Sequence, residues 1–329
     1  MISAVKNNTT TVVVSQGQSR NPQKRAIEQA IADAVGRIEG VDVLIVPHLY
    51  DLPKSSESFA LLSAIEHDLI VVSWIYSRAA HWVLDRNGVQ GQIRQVLLGQ
   101  ADEVDEPAND SPTEDDRQVD HVTDLFPRPE RKISCLDLKV ANDADTFVHE
   151  IRRLLGIQEE STSLPVIGGS IRQVEEQTGR RWYPVIDFDR CTNCMECVDF
   201  CLFGVYGVDQ GENILVEQPD NCRKGCPACS RVCPENAIIF PQHKAPAIAG
   251  AETEGDEGFK IDLSQLFGAP TKDDDPIATA ARERDEQLLL AGRDAIGIND
   301  QLKKRQIDNA SQPKDQLDEL IDSLDAFDL

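Results

Sequence analysis

The first 155 residues alternate short apolar, β-branched runs with segments whose apolar residues recur at helical spacing. The runs predict strands at 10–15, 41–46, 68–74 and 133–138. The periodic segments predict helices at 21–38, 56–65, 78–85, 92–98 and 144–155. Continuous apolar strands that alternate with helices are typical of a parallel sheet covered on both faces. We therefore predict an α/β parallel-sheet domain of about four strands over residues 1–155.

A carboxylate-rich stretch, 101–130, interrupts this pattern. Between Asp102 and Asp116 it holds eight acidic residues and no basic one. Because such a composition cannot bury enough apolar surface to order itself, we predict an extended or disordered acidic loop. Residues 156–181 contain a Ser/Thr cluster, Pro165 and the pair Gly168-Gly169, and we expect them to form an interdomain linker.

The C-terminal stretch, 246–329, is acidic and rich in small residues. Helical spacing predicts amphipathic helices at 276–295 and 316–329, and 259–267 is an isolated apolar segment. We predict an acidic, partly disordered tail whose helices either fold back on the chain or dock in the groove of a partner.

Eight of the nine cysteines lie between Cys191 and Cys233. They form a C-x2-C-x2-C-x3-C run and a C-x3-C-x2-C-x3-C-P run, namely Cys191, Cys194, Cys197 and Cys201, then Cys222, Cys226, Cys229 and Cys233. The first spacing is typical of [4Fe–4S] ligation, because three closely spaced thiolates on one loop can each bind a different iron. The fourth thiolate must come from elsewhere, because the same loop cannot reach the far corner of the cube.

Two other uses of these cysteines fit the sequence less well. Paired C-x2-C motifs also build tetrahedral zinc sites, but a zinc ribbon does not need a third and a fourth cysteine at these spacings, twice over. A disulfide framework would need an oxidising compartment, which nothing in the sequence indicates. The ninth cysteine, Cys135, has no second ligand at metal spacing, and we expect it to be an inert core residue.

Residues 182–245 resemble the bacterial-type dicluster 2[4Fe–4S] ferredoxin family. Both cysteine runs and the stretch from Cys233-Pro234 to Ile238 carry the resemblance. It implies an α+β ferredoxin-like dicluster domain in which the fourth cysteine of each run ligates the other cluster. The implied ligands are Cys191, Cys194, Cys197 and Cys233 for one cluster, and Cys222, Cys226, Cys229 and Cys201 for the second. Short strands are predicted at 183–188, 214–217 and 237–240.

Two features depart from the family's pattern. Leu202 follows Cys201 where the family usually has proline, and one extra residue separates Cys222 from Cys226. The second departure makes Cys222 the least regular of the eight implied ligands.

The charge balance favours some partners over others. The formal net charge is −24, with 57 acidic and 33 basic residues. Such a chain is repelled by nucleic acid and by anionic membranes, and it suits docking on the basic face of a redox protein partner. No run approaches the roughly 18 apolar residues of a transmembrane helix, so we expect no membrane insertion. The N-terminus lacks the features of a signal peptide, which predicts a cytoplasmic protein.

The α/β domain offers a weaker signal for a ligand. The loop from Ser15 to Pro22 follows the first strand and precedes a helix, as in anion sites, and Trp74 and Tyr76 could stack on a flat ring. That pattern would suit a flavodoxin-like domain that binds FMN. An ordinary loop with two boundary aromatic residues is the alternative.

A second resemblance is to sirohydrochlorin-type chelatase domains. It rests on the turn from Gly17 to Pro22 and on Arg78-Ala79-Ala80-His81, and it implies a tetrapyrrole ligand. Gln16 stands where that family has a metal-binding histidine.

Together these features predict an iron–sulfur electron-transfer protein. In this interpretation it relays single electrons through two [4Fe–4S] clusters to or from a partner oxidoreductase, as a non-catalytic carrier or an oxidoreductase subunit. The alternative is a redox enzyme whose N-terminal domain binds a flavin or tetrapyrrole that the clusters feed. A third hypothesis gives the clusters a structural or sensing role.

Overall fold

The computed structural model describes residues 10–98, 121–157, 169–251 and 276–297. Its N-terminal part contains a six-stranded sheet in the order β4-β5-β3-β1-β2-β6, and every neighbouring pair is parallel. The strands are β1 (Thr10–Ser15), β2 (Val41–Val46), β3 (Leu69–Ser73), β4 (Gln92–Ile93), β5 (Lys132–Asp137) and β6 (Ile171–Gln173). The central β1 is an almost wholly buried β-branched run, which is what a strand covered on both faces requires.

Helices cover both faces of this sheet. The helices of this part of the chain are α1 (Pro22–Val35), α2 (Glu57–Ser63), α3 (Ser77–Arg86), α4 (Val122–Leu125) and α5 (Ala144–Leu155), and all but α4 pack on the sheet. Helices α1 and α5 pack on one face, and α2 and α3 pack on the other. The Asn21 side chain accepts a hydrogen bond from the Gln23 amide at 2.9 Å and so caps α1. The predicted α/β parallel-sheet class is thus confirmed for this part of the chain.

The sheet has six strands where about four were predicted, and the two additional strands are the short edge strands β4 and β6. The helix predicted at 92–98 is wrong, because Gln92 and Arg94 donate backbone hydrogen bonds to the Arg131 and Ile133 carbonyls at 2.8 and 3.1 Å. Pairing at the sheet edge therefore overrides the local helical pattern. Strand β6 lies within the stretch predicted to be a linker, and it pairs with β2.

The cysteine-rich segment is built on two short antiparallel pairs, β7 with β10 and β8 with β9. Its strands are β7 (Val185–Ile186), β8 (Tyr206–Val208), β9 (Ile214–Val216) and β10 (Ile238–Ile239). Its helices are α6 (Glu196–Phe200), α7 (Ala228–Val232) and α8 (Pro246–Ala249). Each cysteine run therefore places its third cysteine in a five-residue helix, α6 for the first run and α7 for the second.

The α/β part and the cysteine-rich segment are joined by buried polar contacts. Arg78 on α3 forms an ion pair with Asp187 at 2.5 Å, and both side chains are only 3% exposed. The rings of Tyr50 and Tyr183 stack with centroids 4.3 Å apart. Asp51, which is buried, accepts hydrogen bonds from side chains and backbone of both parts.

Two further segments pack on the cysteine-rich part. Within the predicted acidic loop, Val122 of α4 donates a backbone hydrogen bond to the Cys191 carbonyl at 3.0 Å. A last described helix, α9 (Pro276–Leu290), begins where the helix predicted at 276–295 begins but ends five residues earlier, and it packs against α7. Residues 101–120 of the loop and the predicted segments 259–267 and 316–329 lie outside the described residues. Among the helices of the described ranges, none combines the length and apolar character that a membrane crossing requires.

Candidate metal centre

The first cysteine cavity has a volume of about 290 Å³. The cysteines that line it are Cys191, Cys194, Cys197 and Cys233. Asn193 and Met195 adopt positive φ angles of 59° and 67°, which fold the loop so that its three cysteines surround one space. The Asn193 amide fixes this loop to the β8–β9 hairpin, because it donates to the Glu212 carbonyl at 2.7 Å and accepts from the Ile214 amide at 2.9 Å.

The second cysteine cavity has a volume of about 320 Å³. The cysteines that line it are Cys201, Cys222, Cys226 and Cys229. The extra residue in this run is absorbed by a turn, in which the Cys226 amide donates to the Arg223 carbonyl at 3.0 Å and Gly225 has a φ of 88°. A side chain is disfavoured at such a φ, so glycine is needed there. Cys222 therefore lies beside the other three cysteines despite the irregular spacing.

Each cavity thus gathers the first three cysteines of one run and the last cysteine of the other run. All nine cysteines of the chain are free thiols. Within the described residues, no three His, Cys, Asp or Glu side chains are arranged to hold a metal ion. Ligands of one zinc ion must all lie about 2.3 Å from it, whereas the thiolates of a cube bind different irons and stand further apart around a cavity. Each cavity gathers four cysteine thiols, the number of ligands that a [4Fe–4S] cube takes.

Burial changes the acidity of these thiols. It raises the pKa of Cys191 and of Cys226 to about 11, and it raises the pKa of Cys197 and Cys229 further. Because cluster ligands are thiolates, loading the metal must release these protons. The metal-free thiols are therefore protonated and poor nucleophiles at neutral pH.

Hydrogen bonds reach cysteine sulfurs in both cavities. The Tyr206 hydroxyl lies 3.1 Å from Cys229 Sγ, and the Ala237 amide donates to Cys233 Sγ at 3.3 Å. Burial raises the pKa of Tyr206 well above its usual range, so its hydroxyl remains a donor. Donors to cluster sulfurs raise the reduction potential. Tyr206 lies on β8, and nothing in the cysteine spacing indicates a residue on that strand as a donor.

The α/β part holds the first cavity in place through Arg78. The guanidinium bonds to the Asp187 carboxylate and also donates to the Asn236 carbonyl at 2.5 Å. The Asp187 carbonyl in turn accepts from the Cys191 amide at 2.9 Å, and Asn236 follows Cys233 by three residues. Arg78 thus holds both the segment that precedes Cys191 and the segment that follows Cys233, which are the first and last cysteines of this set.

The remaining sequence candidates are engaged in internal contacts. Cys135 is buried in β5, and burial raises its pKa to about 12, as an inert core thiol requires. His81 is buried and its ring meets Trp82 edge to face at 4.9 Å, while burial lowers its pKa to about 4. Of the chelatase-like residues, Arg78 joins the two parts of the protein through its ion pair with Asp187.

The loop after β1 is likewise filled by the chain itself. The Glu28 carboxylate accepts from the Gly17 amide at 2.8 Å and from the Trp74 indole at 2.7 Å. Arg25 donates to the same carboxylate at 2.9 Å. Glu28 therefore takes the loop donor that a flavin phosphate would use.

Comparison with known proteins identifies one segment of the chain. A pyruvate synthase subunit PorD from Methanocaldococcus jannaschii is 37% identical over 71 residues, which are 22% of this chain and 79% of the subunit. A ferredoxin from Methanothermococcus thermolithotrophicus is 40% identical over 59 residues, which are 17% of this chain and 95% of that protein. The chain belongs to the ferredoxin family. It is accordingly an iron–sulfur protein with an electron-transfer role.

An uncharacterized ferredoxin from Methanocaldococcus jannaschii is 50% identical over 66 residues. That match covers 20% of this chain, and the chain spans 44% of the length of that relative. No protein-family model and no solved structure matches the chain.

Proposed function

We propose that this ferredoxin relays single electrons through two [4Fe–4S] clusters to or from a partner oxidoreductase. The observation that carries the proposal is the pair of cavities, each lined by four cysteines drawn from both runs. The first cluster takes Cys191, Cys194, Cys197 and Cys233, and the second takes Cys222, Cys226, Cys229 and Cys201. Each cluster supplies a one-electron couple, and the chain holds it, limits its contact with water and donates hydrogen bonds to its sulfurs.

The short helices support a relay because each runs from one cysteine set to the other. Cys197 of the first set and Cys201 of the second are linked by one helical turn, in which the Cys201 amide donates to the Cys197 carbonyl at 3.1 Å. In α7 the relation is reversed, since Cys229 belongs to the second set and Cys233 to the first. A turn of α-helix rises about 5.4 Å, so the two cavities are close neighbours.

The proposed partner is a redox enzyme with a basic docking face. Two of the relatives are named as subunits of pyruvate synthase, which supports an oxidoreductase as the partner of this chain. The net charge of −24 supports steering toward a basic surface. We place the protein in the cytoplasm, where thiols stay reduced for cluster assembly.

The proposal is tested by counting electrons. Anaerobically purified protein is reduced with dithionite, freed of reductant and titrated with a one-electron acceptor over repeated cycles. About two electrons per chain should be recovered in each cycle, one from each cluster. Clusters that take up no electron reversibly would contradict the relay and favour a structural or sensing role.

A further inference from the structure

Helix α9 forms a cover over the second cysteine cavity. Its residues Ile277 and Ala280 share an apolar cluster with Cys226 and with α6 and α7 residues. Arg231 on α7 fixes the helix through an ion pair with Glu283 at 2.9 Å. This helix lies outside the segment 182–245 that resembles dicluster ferredoxins, so it is an addition to the ferredoxin-like part of the chain.

The cover brings one cation into the cavity. Arg284 is only 5% exposed and lines the second cavity, where its guanidinium lies over the Phe200 ring at 4.6 Å. Its ion-pair partner Asp285, at 2.9 Å, is not among the lining residues. Arg284 therefore brings a positive charge to the wall of the second cavity, which Asp285 does not line.

The two cavities differ in the charges that surround the sulfurs. Arg223 and Arg284 line the second cavity. Glu196 and Glu235 line the first cavity. Cations and hydrogen-bond donors stabilise the more negative, reduced state of a cluster, whereas carboxylates oppose it.

The two sets of cysteines also differ in their exposure to solvent. Cys194 of the first set is exposed, whereas the cysteines of the second set are buried or half-buried. A redox partner can therefore approach the first cluster closely, while α9 blocks one side of the second.

We infer that α9 seals the second cluster and that Arg284 holds its reduction potential above that of the first, so that electrons enter and leave through the first cluster and rest on the second. This inference depends on the proposed two-cluster relay. In the inward step, the partner oxidoreductase is oxidised by one electron and the first cluster is reduced. That electron then reduces the second cluster, and the first returns to its oxidised state.

The test measures the potential of each cluster by an EPR-monitored titration of the intact protein. Arg284→Gln removes the buried charge, and Arg282→Gln on the exposed side of the same helix is the matched control. Arg284→Gln should shift the electron distribution between the clusters at least tenfold toward the first, which is about 59 mV for a one-electron couple. Arg284→Lys should keep most of the wild-type distribution, because it retains the charge. Arg282→Gln should leave both potentials unchanged.

The clusters are assigned with Cys194→Ser, which alters the signal of the first cluster. Iron content is measured in every variant, so loss of a cluster is separated from a change of potential. If Arg284→Gln loses a cluster, the inference is judged from the wild-type protein, in which the second cluster must have a higher reduction potential than the first. Two intact clusters with the opposite order, or an equal shift in Arg284→Gln and Arg282→Gln, would overturn the inference and leave the relay itself standing.

Discussion

Removal of Arg78 should loosen the first cysteine loop from the α/β part of the protein. Arg78→Met leaves the Asp187 carboxylate, whose side chain is 3% exposed, without its buried cation. Breaking a buried pair in this way typically costs about 3–5 kcal/mol, because an uncompensated charge remains inside. Asp187 keeps hydrogen bonds from the Asp189 and Arg190 amides at 3.0 and 3.3 Å, so we expect the lower end of that range.

This loss of free energy should make local unfolding of residues 185–191 more frequent. A loss of about 3 kcal/mol corresponds to at least a hundredfold faster amide exchange, since each tenfold step is about 1.4 kcal/mol. Hydrogen–deuterium exchange by mass spectrometry on the cluster-loaded protein measures this, with the Cys191 amide as the main reporter because it donates to the Asp187 carbonyl.

A second arginine provides the control. Arg190 lies 3.6 Å from the same carboxylate, but its side chain is 31% exposed. Such a partly solvated pair contributes about 0–1 kcal/mol, so Arg190→Met should accelerate exchange less than tenfold. Equal exchange rates in Arg78→Met and Arg190→Met would refute the reasoning that the buried pair holds the two parts together.

Three further predictions concern other contacts. Glu28→Ala removes the acceptor for the Gly17 amide and the Trp74 indole, and it should lower the unfolding free energy by about 1–3 kcal/mol in urea titrations followed by tryptophan fluorescence; an unchanged midpoint would contradict it. Tyr206→Phe removes the hydroxyl next to Cys229 Sγ and should lower the potential of the second cluster only, measured by EPR titration. Burial lowers the pKa of His81 to about 4, so the unfolded chain binds more protons below pH 6.5 and stability falls as the pH drops. Between pH 7 and 5 this histidine should account for about 2 kcal/mol of lost stability, which His81→Asn should abolish in urea titrations at each pH.

The long central elements were predictable from the sequence because continuous or periodic apolar residues indicate that these segments are buried. Strand β1 (Thr10–Ser15) and helix α5 (Ala144–Leu155) have the predicted bounds. Strands β4 and β6 were not predicted, since they contain two and three exposed residues and exist only through pairing with a neighbouring strand. Such edge strands carry no periodic signal of their own.

The cysteine sets were predictable from spacing, but their surroundings were not. Arg78 contacts Asp187, which is 109 positions away in the sequence, and Arg284 contacts Phe200, which is 84 positions away. A lone arginine on a helix ordinarily indicates a solvated face. Glu28 likewise resembles an ordinary surface glutamate until the fold brings the β1 loop and Trp74 against it. These contacts depend on tertiary packing, which a local pattern does not contain.

The most direct test of the two-cluster account is the iron and acid-labile sulfide content of anaerobically purified protein, with an EPR spectrum after dithionite reduction. We predict about eight irons and eight sulfides per chain, with a spectrum broadened by coupling between two reduced clusters. About four irons per chain, or zinc without sulfide, would contradict the account.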